Sequence, residues 1–183
     1  MGQGKSSAEV IETTRLRLIP CTREHLEILL SSEDALAEHL GVGLALNWLI
    51  FPESVSYSLK MIDDDPRALI WGMHLVIHTI DNKLIGCGGY KGAPYAAGMV
   101  EFGYSVAPSY ENKGLATEAA LALIRKAFAD DSVQIVDAHT LAEWNASTRI
   151  QQKCGLTKIA EKHDPEDGDI WQWRILRSEF EFR

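Results

Sequence analysis

No apolar run in this 183-residue chain approaches the roughly 18 residues that a bilayer-crossing helix needs, so no membrane partner is expected. Cysteine is scarce: Cys21, Cys87 and Cys154 are its only copies. They form no Cys-x-x-Cys pair, which argues against a zinc site or a disulfide framework. Cys87 and Cys154 lie in apolar runs, as small buried hydrophobes do. Basic residues are also few, 18 Lys and Arg against 26 Asp and Glu, for a net charge of −8. A nucleic-acid binder would show a basic face instead. The acidic balance suits a cationic partner such as an amine. Met1-Gly2-Gln3-Gly4-Lys5-Ser6 lacks the apolar stretch of a secretory signal, and the expectation is a cytoplasmic protein. Gly4-Lys5-Ser6 echoes a phosphate-binding loop, but no strand precedes it and the first glycine is missing.

What is present fits one soluble domain, with 46% hydrophobic residues and 24% charged. Residues 1–10 read as a disordered polar tail, and 11–183 as a single domain of α+β class. Arg15 to Ile19 alternates as a half-buried strand, which Pro20 ends. Thr22 is placed to cap a helix carrying Leu26, Leu29 and Leu30, with Leu36 and Leu40 in a second piece. Pro52-Glu53 opens another helix. Strands are then expected at 71–80, 84–90 and 100–106, a helix at 117–129 with Leu121, Ile124 and Phe128 inward, and a strand at 135–141. A helix at 146–154 should stop at Gly155 in the left-handed conformation. Two short strands, 157–161 and 170–176, finish the chain. Antiparallel strands feeding a β-α-β unit indicate a mixed sheet with helices on both faces.

The most informative stretch runs from Val100 to Ala119. A strand ends near Pro108, a short loop follows, and Gly114-x-Ala116 opens a helix. Unpaired N–H groups and a partial positive charge at a helix N-terminus suit a phosphate, and small residues let it come close. Lys113 adds a positive charge nearby.

Glu111-Asn-Lys-Gly-Leu-Ala116 resembles the acyl-CoA loop of the GNAT superfamily of N-acetyltransferases, [Gln/Arg]-x-x-Gly-x-[Gly/Ala], except at its first position. Gly103-Tyr104, Pro108 and Gly114-Leu-Ala-Thr-Glu-Ala119 resemble the ribosomal-protein N-terminal acetyltransferase branch (RimJ/RimL-like). Asn145-Ala-Ser-Thr-Arg-Ile150 through Lys153, Gly155 and Leu156 is similar to a second family block. Glu12-Thr-x-Arg15-Leu-x-Leu18 is typical of the same branch. The resemblance implies a sheet splayed at Glu101–Val106, with acetyl-CoA as acyl donor and no metal. It places the pantetheine arm against Ser105 and Val106, the pyrophosphate on Asn112, Lys113, Gly114, Leu115, Ala116 and Thr117, and Asn145 and Ser147 facing the arm. The acceptor is expected to be a peptide N-terminus or a small amine, taken up by a monomer or a homodimer.

Glu101 is the first candidate base, because alternation puts it on the face of Gly103 and Ser105. The resembling enzymes often carry a tyrosine where Gln151 stands, so Ser147 is the expected donor to the leaving thiolate. Trp48, Tyr57 and Tyr104 are expected to line the acceptor pocket. Asp63-Asp64-Asp65 reads as a solvated turn. His74 and His78, on one strand face but about 13 Å apart, are too distant to share a metal.

Overall fold

The computed structural model describes residues 9–181, so the expected tail falls, over residues 1–8, outside the described residues. Strands β1 (Ile11–Glu12) and β2 (Leu16–Pro20) lead into helices α1 (Arg23–Ser31) and α2 (Glu33–Leu40). In β2 the alternation buries Leu16, Leu18 and Pro20. Pro20 is the last residue of the strand, a position where its missing N–H is tolerated. Thr22 caps α1 by accepting from the His25 N–H, and the His25 ring accepts the Thr22 N–H in return. Ser32 caps α2, which Gly41 closes in the left-handed region at φ 66°. A short strand β3 (Gly43–Leu44) and helix α3 (Glu53–Asp64) follow.

The central strands are β4 (Met73–His78), β5 (Lys83–Tyr90) and β6 (Met99–Val106). Helix α4 (Leu115–Phe128), strand β7 (Ile135–Leu141), helix α5 (Ala146–Cys154), the hairpin β8 (Thr157–Asp164) and β9 (Gly168–Leu176), and helix α6 (Arg177–Glu181) complete the chain. Two expectations shift. Helix α4 begins at Leu115 rather than Thr117, because Gly114, at φ 76°, is its N-terminal boundary. Its buried face is carried by Leu115, Leu123, Ile124 and Phe128 with four alanines, while Leu121 is only half-buried.

The strands form one mixed sheet in the order β1-β2-β4-β5-β6-β7-β9-β8, with β3 added parallel to β5. Pairing is antiparallel except for β3 with β5 and β6 with β7. That last pair decides the site. It holds register only from Met99↔Ile135 to Glu101↔Asp137, yet β6 continues to Val106 and β7 to Leu141. The sheet therefore splays just beyond Glu101. Lys91 N–H donates to the Glu101 carbonyl at 2.9 Å, and Ala107 N–H to the Ile85 carbonyl at 2.6 Å. Odd-numbered residues of β6 thus bond to β5. By alternation, Phe102, Tyr104 and Val106 turn their N–H and C=O groups into the gap. The buried Asp137–Arg174 ion pair, at 2.7 Å, ties β7 to β9 on the far side.

Candidate active site

Beyond the splay lies a loop that presents backbone to a ligand. Pro108–Tyr110 forms a turn of 3₁₀ helix, and Asn112 (φ 58°) and Gly114 (φ 76°) both take left-handed conformations before α4 begins. The first turn of α4 carries no side-chain cap. Its leading N–H groups, those of Leu115, Ala116 and Thr117, have no helical acceptors. Such a terminus favours an anion. The tyrosine hydroxyl of Tyr110 anchors the loop by donating to Asp81 Oδ2 at 2.6 Å. The Lys113 ammonium donates to the Ser109 carbonyl at 2.7 Å and lies 5.0 Å from the Tyr110 ring.

Glu118, one turn into α4, is held from the N-terminal segment. Its carboxylate accepts from the Thr13 hydroxyl at 2.6 Å, the Arg15 N–H at 2.8 Å and the Arg15 guanidinium at 2.8 Å. Burial raises the carboxyl's pKa, but these donors outweigh it and hold it below the usual carboxylate range. A depressed folded-state value means that the stabilisation is fully present above the unfolded value of about 4.3, and is lost as pH falls through the folded value. Glu118→Gln is therefore expected to lower stability near pH 7 by about 1 kcal/mol, a modest figure because the site reaches solvent. Urea unfolding from pH 7 down to 3 should show a flatter profile in the variant.

At the crotch of the splay, Glu101 sits with its side chain 16% exposed. It is not paired with an arginine. Its Oε1 accepts from Lys91 Nζ at 2.5 Å and from His139 Nδ1 at 2.9 Å. Burial pushes the Glu101 carboxyl up, but the His139 and Lys91 hydrogen bonds prevail and keep it below its ordinary value. A carboxylate only accepts, so in this contact His139 Nδ1 carries the proton and donates. Neither Lys91 nor His139 was singled out from the sequence. Residue alternation puts His139 on the Asp137 face of β7, and Asp137 is the register partner of Glu101.

The surroundings of this pair are mixed. Tyr57, 52% exposed on α3, donates to the Lys91 carbonyl at 3.4 Å. Tyr95 is exposed, and burial followed by the charges of Glu101 and Asp137 raises its phenol's pKa, which places it beside them. Trp48 corrects the expectation: at 1% exposure it is a core residue and lines no open surface.

The other face of β6 meets α5. Tyr104 points there, away from Glu101, because it is an odd number of residues removed along the strand. Its hydroxyl accepts from Gln151 Nε2 at 3.3 Å and lies in hydrogen-bonding reach of Ser147. Burial raises the phenol above its ordinary range, so it stays protonated. Gln151 is buried, with its Oε1 left without a partner. Asn145 is the cap of α5: its Oδ1 accepts the Thr148 N–H at 3.1 Å and its amide donates to Glu143. Ser147 is therefore spared the capping role. Ser105 is buried, its backbone belongs to the β5 side by alternation, and its hydroxyl is 3.5 Å from Cys87 Sγ. Val106, by contrast, does face the gap with its backbone. Gly155 closes α5 at φ 89° as expected.

No group of three or more His, Cys, Asp or Glu able to hold a metal occurs among the described residues. No helix among them is long and apolar enough to cross a membrane.

Residues 15–157 match the family described as Acetyltransferase (GNAT) domain. A protein of Bacillus subtilis (strain 168), described as "Uncharacterized N-acetyltransferase YjdG", is 24% identical over 149 residues, covering 80% of this chain and 89% of its own. Two solved structures share the fold. RimL, a ribosomal L7/L12 α-N-protein acetyltransferase in complex with coenzyme A, superposes with a TM-score of 0.67 at 15% identity, covering 92% of this chain and 98% of its own. A chimera of the spermidine N-acetyltransferase SpeG from Vibrio cholerae and hSSAT gives 0.67 at 17% identity, covering 93% and 100%.

Proposed function

The chain belongs to the acetyltransferase (GNAT) family and is an acetyl-CoA-dependent N-acetyltransferase, and on that premise we propose that its acceptor is the α-amine of a peptide N-terminus. The observation that carries this is the Glu101–His139 pair at the mouth of the splay. An amine attacks only when neutral. At pH 7 an α-amine, with pKa near 8, costs about 1.4 kcal/mol to deprotonate, whereas a lysine-like amine near 10.4 costs about 4.6. Glu101 is held below its ordinary range and is a weak base. It is better suited to orient His139, and an imidazole accepts protons near neutral pH. A base of that strength serves an α-amine.

Bound acetyl-CoA supplies an activated thioester. The residues present fit it, with a loop and helix terminus for its phosphates and an open strand edge for its amide-bearing arm. The backbone of Phe102, Tyr104 and Val106 would align that arm, and the N–H groups of Leu115, Ala116 and Thr117 would hold the pyrophosphate. His139 takes the amine proton directly or through water. Ser147, with Tyr104 beside it and Gln151 behind, donates toward the leaving sulfur. Tyr57 and Tyr95 flank the way to Glu101 from the acceptor side. A cytoplasmic setting accords with this reading, and with three buried cysteines that form no disulfide among the described residues.

The difference in deprotonation cost, about 3.2 kcal/mol, corresponds to about 200-fold in rate. Values of kcat/KM are therefore expected to favour short unblocked peptides over spermidine and over Nα-blocked lysine peptides by about two orders of magnitude at pH 7. A preference for the polyamine would overturn the assignment.

A further inference from the structure

The N-terminal Thr13-x-Arg15 segment lies more than ninety residues from the phosphate loop in sequence, yet Arg15 spans that loop and the helix behind it. Its Nη1 donates to the Lys113 carbonyl at 2.9 Å. Its Nε and Nη2 both reach Glu118 Oε2, each at 2.8 Å. Lys113 is the residue immediately before Gly114. Glu118 closes the first turn of α4, its N–H donating to the Gly114 carbonyl at 3.0 Å. One guanidinium thus brackets the segment whose amides open toward the ligand. Arg15 is itself fixed: its N–H bonds Glu118 Oε1, and its carbonyl accepts from the Thr79 N–H at 3.0 Å and the Thr79 hydroxyl at 3.1 Å. The Thr13 hydroxyl fills the remaining space on Glu118 at 2.6 Å. The guanidinium also runs close under the loop, its Nη2 lying 3.4 Å from where a Cβ on Gly114 would sit.

We propose that Arg15 is a positioning residue for coenzyme A, a strap from the turn before β2 that holds the Lys113–Gly114 backbone and the first turn of α4 in the pyrophosphate-binding conformation. This rests on the acetyl-CoA reading of that loop. Two features of the geometry suit a strap rather than a surface ion pair. A planar fork can serve a carbonyl and a carboxylate at once, whereas an ammonium is a point donor that satisfies one of them. The loop it holds contains two left-handed residues, Asn112 and Gly114, and at Asn112, which carries a Cβ, that conformation costs free energy that neighbours must offset. Holding it before the ligand arrives removes an ordering cost from binding. The first position of the loop motif, Glu111, is exposed and acidic, and Arg15 brings a cation to this site from a distant part of the chain.

Arg15→Lys keeps the charge and removes the fork. Its affinity for coenzyme A, by calorimetry, is expected to fall about tenfold, while its affinity for pantetheine, which lacks the pyrophosphate, stays unchanged by chemical-shift titration. Arg15→Met is expected to lose at least as much on coenzyme A. Equal weakening of both ligands would mean a general loss of structure and would overturn the strap. Unchanged coenzyme A affinity in Arg15→Lys, with that affinity lost in Gly114→Glu, would also overturn it while leaving the phosphate site standing. If Gly114→Glu too keeps full affinity, the phosphate site itself falls, and the strap with it.

Discussion

Gly114→Glu should weaken acetyl-CoA binding by about 30- to 1000-fold, the largest single effect expected in this molecule. Two independent costs add. Gly114 lies at φ 76°, and a side chain in the left-handed region costs about 1–2 kcal/mol. The new carboxylate would then stand at the helix terminus where the pyrophosphate sits, and two like charges about 4 Å apart near a protein surface repel by up to about 4 kcal/mol, less after the side chain swings away. Arg15 Nη2, 3.4 Å from the added Cβ, would take part of that charge, which keeps the total near 2–4 kcal/mol. Gly114→Ala carries the strain without the charge and is expected to lose only about tenfold. Titration calorimetry with coenzyme A measures both, and equal affinities in the two variants would show that no phosphate lies there.

His139→Gln is expected to lower kcat by about 100-fold with little change in the KM for acetyl-CoA, since general-base contributions run from about 10² upward. The ring is 2.9 Å from Glu101 and outside the phosphate loop, so donor binding should be spared. Glu101→Gln tests the pair from the other side. Removing the carboxylate takes away the acceptor that orients the His139 ring, so kcat should fall by about tenfold with the KM for acetyl-CoA unchanged. A Glu101→Gln enzyme with full kcat and an inactive His139→Gln enzyme would make His139 the base without its partner. The reverse pattern would return the role to Glu101.

The elements whose limits are set locally were legible in the sequence. Helix α5 runs from Ala146 to Cys154 as expected, because the Asn145 cap and the left-handed Gly155 are both local signals. Strand β7 likewise keeps its expected limits, Ile135–Leu141. Helix α4 was misjudged at its start, where Gly114 and not a polar cap sets the boundary. The face of Glu101, Gly103 and Ser105 followed from alternation, and the same alternation, applied to Tyr104, puts that ring on the α5 side. What composition could not supply is the parallel register of β6 and β7. That register brings Glu101 and His139, 38 residues apart, into contact and decides where the sheet splays. Lys91 joins them only through the β5–β6 pairing. Trp48 shows the limit of reading aromatic residues near helices as pocket walls, since burial claims it for the core.

The most direct test of the account is a stoichiometric reaction of the protein with acetyl-CoA and an unblocked peptide, followed by mass detection of peptide and protein together with a free-thiol assay. The account predicts one acetyl group on the peptide's α-amine for each thiol released, and none retained on the protein. Tight acetyl-CoA binding with no thiol release from any peptide or amine acceptor would contradict it, and would make the chain an acyl-CoA-binding module without turnover.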